Sequence, residues 1–161
     1  MVKKLPVKIV VDSSSDLPKQ LASQLGIITV PMPVYIDGTT FYEGLDIFPD
    51  TFYVKFKSYK ELPKTSQPNP NDLQKVYEKI LADGYDVIAI HLSSGLSSTY
   101  QTALMVKEVC TYPDRIHIID SLGASLGFGL LAISAHEIAQ RLDNTVEIVE
   151  EIIKIRDRMR Y

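Results

Sequence analysis

The chain has only one cysteine and no tryptophan among its 161 residues. A single cysteine, Cys110, excludes an internal disulfide bond and a cysteine-based zinc site. Lysine and arginine together number 17 against 20 aspartates and glutamates, and the formal net charge is −3. Because the basic residues form no cluster, we expect no nucleic-acid partner.

Long hydrophobic runs are also missing from the sequence. The uncharged stretch 121–135 contains three glycines and three serines and is too short to cross a bilayer. The first residues, Met1-Val2-Lys3-Lys4, lead into a strand pattern rather than a long apolar segment, so no signal peptide is expected. We therefore expect a cytoplasmic protein without stable membrane insertion.

The remaining composition, 45% hydrophobic and 23% charged, is typical of one globular domain at this length. Strands are predicted at 7–11, 27–30, 87–92 and 116–119, with a hairpin at 34–42 around Asp37-Gly38. Helices are predicted from an Asp16 cap to Gly26, at 50–59, at 69–84, after residue 98, at 124–142 and from an Asn144 cap onwards. This alternation predicts an α/β fold with a mostly parallel sheet sandwiched by helices.

Polar loops rich in hydroxyl groups follow three of the predicted strands. They begin at Asp12, Ser93 and Asp120, and two X-Pro steps make a fourth polar loop, 63–70, extended. Parallel sheets bind ligands at the carboxyl ends of their strands, where free N–H groups at helix N-termini favour a negative group. Since no phosphate-binding motif is present and Lys64 is the only cation in these loops, the pattern favours a carboxylate ligand.

Two other functions remain open at this point. Gly95-Leu96-Ser97-Ser98-Thr99 is similar to a nucleophile elbow, which would make Ser97 the nucleophile of a serine esterase or hydrolase. None of the three histidines, however, lies in a loop position that usually supplies the base. Alternatively, the loops belong to a non-catalytic interaction domain in which serine and threonine only cap helices.

Acidic and small residues give two further expectations. Asp12 and Asp120 lack a third acidic partner in a matching loop, so we expect no metal ion. The small residues within 121–130 favour either a close-packed helix or room for a ligand with a long apolar part.

Four segments of the chain together resemble one known family. The segments are Val10-Val11-Asp12-Ser13-Ser14-Ser15-Asp16-Leu17, Pro63-Lys64-Thr65-Ser66-Gln67-Pro68, His91-Leu92-Ser93-Ser94-Gly95-Leu96-Ser97-Ser98-Thr99-Tyr100 and Ile119-Asp120-Ser121. In order and spacing they are similar to motifs of the DegV family of bacterial fatty-acid-binding proteins. That family includes the acyl-binding subunits of fatty acid kinase, which hold a fatty acid while a separate kinase phosphorylates its carboxylate.

This resemblance implies roles for individual residues. Thr65 and Ser97 would hydrogen-bond the fatty acid carboxylate, and Ser94 and Gly95 would shape the loop around Ser97. The other motif residues expected beside the head group are Ser13, Asp120 and Ser121. The resemblance also implies a carrier rather than an enzyme, with a long-chain fatty acid as ligand, no cofactor, and the catalytic subunit of a fatty acid kinase as partner.

The sequence departs from the family pattern in two respects. Ser98 stands where the family's S-G-T-Y motif has glycine, a change that can narrow or restructure the loop. The family also has a second, C-terminal domain that closes the acyl cavity. Residues 1–161 are expected to be the N-terminal α/β domain, with the lipid-covering domain absent from this chain.

Overall fold

Four parallel strands form the central sheet of the computed structural model, which describes residues 7–160. In chain order the elements are β1 (Val7–Asp12), α1 (Lys19–Leu25), β2 (Ile28–Val30), β3 (Pro33–Ile36), β4 (Thr39–Tyr42), α2 (Pro49–Lys55), β5 (Lys64–Thr65), α3 (Pro70–Ala82), β6 (Asp86–His91), α4 (Thr99–Glu108), β7 (Ile116–Asp120), α5 (Leu126–Arg141) and α6 (Thr145–Arg158). The strand order β2-β1-β6-β7, with parallel pairing throughout, confirms the predicted α/β class.

Side chains of the central sheet alternate between two apolar layers. Ile9 and Ile88 point to the face covered by α1, α5 and α6, whereas Val10 and Ala89 point to the face covered by α3 and α4. Both faces are therefore buried, which explains why these strands are almost continuously hydrophobic in sequence.

The order in which successive strands are added to the sheet reverses between β1 and β6, although all four strands remain parallel. β2 lies on one side of β1, whereas β6 and β7 follow on the other side. In open parallel sheets, ligands bind outside the carboxyl ends of the strands at such a reversal. The loops after β1 and β6 therefore meet where a ligand site is expected.

A second, antiparallel sheet with the order β4-β3-β5 continues from the carboxyl end of β2. The hairpin of β3 and β4 turns at Asp37 and Gly38, whose φ angles of 47° and 88° suit a two-residue turn, as the sequence predicts. The sequence predicts only an extended loop at 64–65, whereas the structure pairs these two residues with β3. So short a strand carries no periodic hydrophobic pattern that would reveal its pairing.

Two of the predicted helix caps are confirmed and one is wrong. Asn69 and Asn144 accept backbone N–H groups at the starts of α3 and α6. Asp16 does not cap α1, because Pro18 occupies the cap position and Asp16 ends a single turn of 3₁₀ helix with a φ of 52°. Its carboxylate instead accepts a hydrogen bond from the hydroxyl of Ser125 just before α5.

The start of α5 packs directly against the turn that follows β1. A Cβ atom on Gly129 would lie 2.5 Å from the carbonyl oxygen of Ser15 and 3.3 Å from the side chain of Leu17. Glycine is required here because the helix approaches backbone rather than a flexible side chain. Of the two interpretations of the small residues at 121–130, the close-packed helix is confirmed at this position.

Replacing Gly129 by alanine should destabilise the fold. Alanine favours a helix by about 1 kcal/mol, but the clash with the Ser15 carbonyl should leave a net loss of roughly 1–3 kcal/mol in the free energy of unfolding. Urea unfolding followed by circular dichroism measures this change. Leu130→Ala, at an exposed position of the same helix, is the matched control and should change stability by about 0.5 kcal/mol or less. Undiminished stability of Gly129→Ala would contradict the close packing.

Candidate functional site at the carboxyl end of the sheet

Asp12 is buried at the end of β1 and joins the loops on either side of the reversal point. Its Oδ1 atom accepts from the backbone N and the hydroxyl of Ser14. Its Oδ2 atom accepts from the backbone N of Leu92 at 3.0 Å and lies 3.0 Å from Nδ1 of His91. Burial acts to raise the pKa of Asp12, but His91 and the other donors outweigh it and hold that pKa below its ordinary value. The ionised carboxylate thus holds the loop after β1 and the loop after β6 together by hydrogen bonds.

His91 lies fully buried between Asp12 and Tyr77. An ionised carboxylate can only accept a hydrogen bond, so Nδ1 of the ring donates to Asp12. The Nε2 atom lies 2.9 Å from the hydroxyl of Tyr77 in α3. Burial raises the pKa of Tyr77 well above its ordinary value, so this hydroxyl keeps its proton. Both ring nitrogens of His91 are therefore occupied inside the core.

The loop between β6 and α4 satisfies several of its own N–H groups. Leu96 and Ser97 donate from backbone N to the carbonyl of Ser93, and Gly95 donates to the hydroxyl of Ser93. The free N–H groups that the sequence predicts belong to the start of the following helix, whereas the N–H groups of Gly95, Leu96 and Ser97 precede α4 and are used within the tight turn.

Asp120 and Ser121, at the end of β7, connect this loop with the segment before α5. Oδ1 of Asp120 accepts from the backbone N of Ser94 at 3.1 Å and from that of Leu122 at 3.0 Å. Ser121 is fully buried, and its backbone N donates to the carbonyl of His91. Both residues thus lie within the loop scaffold, where they set the path of the backbone.

Ser13 connects the end of β1 with the antiparallel sheet. Its hydroxyl donates to Oε2 of Glu43 at 2.7 Å and accepts from the backbone N of Met32 at 2.9 Å. The backbone N of Glu43 in turn donates to the carbonyl of Met32. Ser13 therefore holds the antiparallel sheet against the carboxyl end of the central sheet.

Thr65 and Ser97 lie on different elements of the structure. Thr65 pairs with Val34 in the antiparallel sheet, and its side chain is exposed. Ser97 is partly buried before α4, where its hydroxyl lies 2.9 Å from Oγ1 of Thr99 and accepts from the backbone N of the same residue. Within residues 7–160 no hydrogen bond joins Thr65 to Ser97, so a shared ligand would have to bridge them.

A shallow groove of about 360 Å³ lies beside Ser93 and Gly95. Its other walls are Leu96, Leu122 and the small residues that end at Ala124. Leu96 is 69% exposed and Leu122 is 54% exposed. Apolar surface thus adjoins the hydroxyl-rich loop directly, which suits a ligand with a polar end and an apolar body.

The site contains neither a nucleophile paired with a base nor a metal-binding cluster within the described part of the chain. The hydroxyl of Ser97 contacts Thr99, while His91 faces Asp12 and Tyr77. In that same part, no group of three histidine, cysteine, aspartate or glutamate side chains is arranged to hold a metal ion. None of its helices combines the length and hydrophobicity needed to cross a bilayer.

Three residues of this region are not identified from the sequence. Tyr77 falls in the apolar stripe of α3, Glu43 follows the hairpin, and Arg156 lies in α6, from where it donates to the carbonyl of Asp120 at 3.2 Å. Tyr77 alone carries a signal, because a tyrosine on a buried stripe needs a partner for its hydroxyl. Glu43 and Arg156 reach the site only through the tertiary fold.

The parallel sheet, its reversal point and the polar loops define a doubly wound α/β domain with a hydroxyl-rich carboxyl edge. A family model described as "Uncharacterised protein, DegV family COG1307" matches residues 6–161. The chain therefore belongs to the DegV family.

Individual relatives agree with this assignment. A DegV domain-containing protein of Caldanaerobacter subterraneus subsp. tengcongensis is 36% identical over 154 residues, covering 96% of this chain and 54% of that protein. The crystal structure of DegV from Bacillus subtilis, described as a fatty acid binding protein, is 32% identical with a TM-score of 0.86, covering 95% of this chain and 54% of the other. A fatty-acid-binding DegV family protein from Thermus thermophilus is 31% identical with a TM-score of 0.85, covering 94% and 54%. The chain thus spans about half the length of these relatives.

Asp12→Asn should destabilise the protein in a pH-dependent manner. At neutral pH we expect a loss of roughly 2–3 kcal/mol in the free energy of unfolding, because the neutral amide cannot accept from all the donors around Asp12. The folded-state pKa of Asp12 lies below its ordinary value of 3.8, so its stabilising contribution is complete above that value and is lost as the pH falls through the folded-state pKa. Urea unfolding at several pH values measures the difference between the two proteins, which should shrink below about pH 4.

The control for this experiment is Asp72→Asn, which removes an exposed carboxylate paired with Lys75. Its effect should stay within about 0.5 kcal/mol at all pH values, because exposed ion pairs contribute little. A destabilisation by Asp12→Asn that does not change with pH would contradict the role of the ionised carboxylate.

Proposed function

We propose that this chain binds the head group of a long-chain fatty acid and presents its carboxylate to a kinase. The observation that carries the proposal is the junction of a hydroxyl-rich loop and a leucine-walled groove between the segments that follow β6 and β7. A fatty acid has the same two parts, a singly charged head and an apolar tail. Membership of the DegV family supports the proposal, since the similar proteins from Bacillus subtilis and Thermus thermophilus are described as fatty acid binding.

The proposed ligands of the carboxylate are the hydroxyls of Thr65 and Ser97. Thr65 lies in the antiparallel sheet that follows β2, and Ser97 stands just before α4, where the positive end of the helix dipole attracts an anion. The walls of the groove carry no cationic side chain. A singly charged carboxylate suits such neutral donors better than a phosphate does. In this proposal Ser94 and Gly95 shape the loop, while Ser13, Asp120 and Ser121 support it.

The proposed path of the acyl tail begins at the groove and follows the exposed face of α5. Leu126 and Leu130 lie one turn apart on this helix, and both are more than half exposed. Like Leu96 and Leu122 they are exposed apolar side chains, and their burial would stabilise a bound tail by about 25 cal/mol per Å². In the longer relatives, we propose, the remaining half of the protein covers this surface.

The chemistry of the site favours a carrier over a catalyst. His91 is held between Asp12 and Tyr77 and cannot reach Ser97 as a general base without breaking both hydrogen bonds. The bound carboxylate would therefore remain unreacted until the catalytic subunit of a fatty acid kinase transfers a phosphoryl group to it. This proposal requires no cofactor on the chain and places the protein in the cytoplasm.

Thr65→Ala and Ser97→Ala should each weaken binding of a fatty acid. Loss of one hydrogen bond to a charged head group is expected to cost about 1–3 kcal/mol, which corresponds to roughly 5- to 150-fold in the dissociation constant. Binding is measured by displacement of the fluorescent fatty acid cis-parinaric acid with oleate. Thr40→Ala in the same antiparallel sheet and Ser23→Ala in α1 remove exposed hydroxyls elsewhere and serve as matched controls.

The result separates the proposal from its alternatives. No binding by the unsubstituted chain would contradict fatty acid binding, and unchanged binding in the Thr65→Ala/Ser97→Ala double variant would contradict the assigned residues. Labelling of Ser97 by a fluorophosphonate would instead indicate an esterase.

The presentation step is tested separately with a fatty acid kinase catalytic subunit, ATP and the oleate-loaded chain. Acyl phosphate formed in this mixture is trapped by hydroxylamine as the hydroxamate. Formation that depends on the chain supports presentation, and its absence contradicts it.

A further inference from the structure

Asp12, His91 and Tyr77 form an unbroken hydrogen-bonded chain inside the apolar core. All three side chains are completely buried. The distances are 3.0 Å from Asp12 Oδ2 to His91 Nδ1 and 2.9 Å from His91 Nε2 to the Tyr77 hydroxyl. Burying three polar groups is costly unless every one is paired, so this chain is expected to hold one defined geometry.

The two ends of this chain reach different segments of the proposed site. At one end, Asp12 binds the backbone N of Leu92, where the loop that leads to Ser97 begins. At the other end, Tyr77 lies about two turns into α3, which follows directly on the segment that carries Thr65.

The segment between Thr65 and α3 is short and stiff. Pro68 is buried, Asn69 caps the helix through the backbone N of Asn71, and Pro70 occupies the first helical position. Such a connection would pass a displacement of α3 on to Thr65, which also pairs with Val34 of β3.

We propose that Tyr77, His91 and Asp12 are positioning residues that set the separation between Thr65 and Ser97. This inference rests on the proposed function, in which both hydroxyls bind one carboxylate. Hydroxyl–carboxylate hydrogen bonds require distances of about 2.5–3.0 Å, so a small shift of either segment breaks one of them. No direct hydrogen bond joins Thr65 to Ser97 in the described residues, and the buried chain supplies a rigid connection instead.

Apolar packing alone would fix this separation less well. The contacts between α3 and the sheet are made mainly by aliphatic side chains, which attract one another without directional preference. Hydrogen bonds depend on both distance and angle, so the bond from Tyr77 to His91 fixes the sliding position of α3 along the sheet.

A double-mutant cycle between Tyr77 and Thr65 tests the proposal. Tyr77→Phe keeps the ring but removes the hydroxyl, and it should weaken oleate binding about fivefold, while Thr65→Ala alone weakens it about tenfold. If Tyr77 acts through Thr65, the double variant should bind about as weakly as Thr65→Ala alone. Independent effects would instead multiply to about fiftyfold and would overturn the proposal.

Ile80→Val provides the matched control, because the Ile80 side chain is buried in the same apolar layer as Tyr77 but carries no polar group. Its effect on binding should simply multiply with that of Thr65→Ala. Equal coupling of Ile80 and Tyr77 to Thr65 would show that loosening α3 is sufficient, and would also overturn the specific role of the hydrogen-bonded chain.

Nitrogen NMR of His91 supplies a readout that does not depend on a lipid. The proposal requires a neutral ring protonated at Nδ1, with an Nε2 signal that moves when Tyr77 is replaced by phenylalanine. Protonation at Nε2 instead would overturn the proposal. Absence of oleate binding by the unsubstituted chain contradicts the proposed function, whereas binding with independent effects of Tyr77 and Thr65 contradicts only the positioning role.

Discussion

The buried carboxylate of Asp12 is the constraint on which the polar end of this fold depends. Taking a carboxylate out of water costs several kcal/mol, and here only the donors of two loops and of His91 offset that cost. Because these donors come from both sides of the reversal point, the loops after β1 and β6 must keep one arrangement for the charge to remain satisfied. The positions of Ser93 and the residues after it follow from that arrangement.

The same constraint limits what the site can do chemically. His91 is used to orient Asp12 through a hydrogen bond from Nδ1, and three N–H groups of the loop after β6 are used by Ser93. The groove beside this loop adjoins serine side chains and exposed leucines, an arrangement suited to binding a ligand with a polar end and an apolar body.

Local sequence signals predict most of the architecture. The strands of the central sheet are nearly continuous apolar runs. Asn69 and Asn144 cap helices by accepting hydrogen bonds from residues two positions further on, and Asp37-Gly38 forms the turn between two adjacent strands. The parallel pairing follows from the alternation of strands and helices. Motif resemblance also singles out Thr65 and Ser97, whose roles in binding stay predictions. The structure has Thr65 in the antiparallel sheet and Ser97 in the loop before α4, and no hydrogen bond joins the two within residues 7–160.

Only the tertiary structure reveals how the polar groups are paired. Asp12 and Leu92 are separated by 80 residues, and Ser13 and Glu43 by 30, yet each pair is hydrogen-bonded. A serine or an aspartate has the same local preferences whichever distant donor it meets, so no pattern of neighbouring residues specifies the partner. Secondary structure is thus readable from the chain because its causes are local. The polar connections of the site are not, because they arise only when the sheet brings distant loops together.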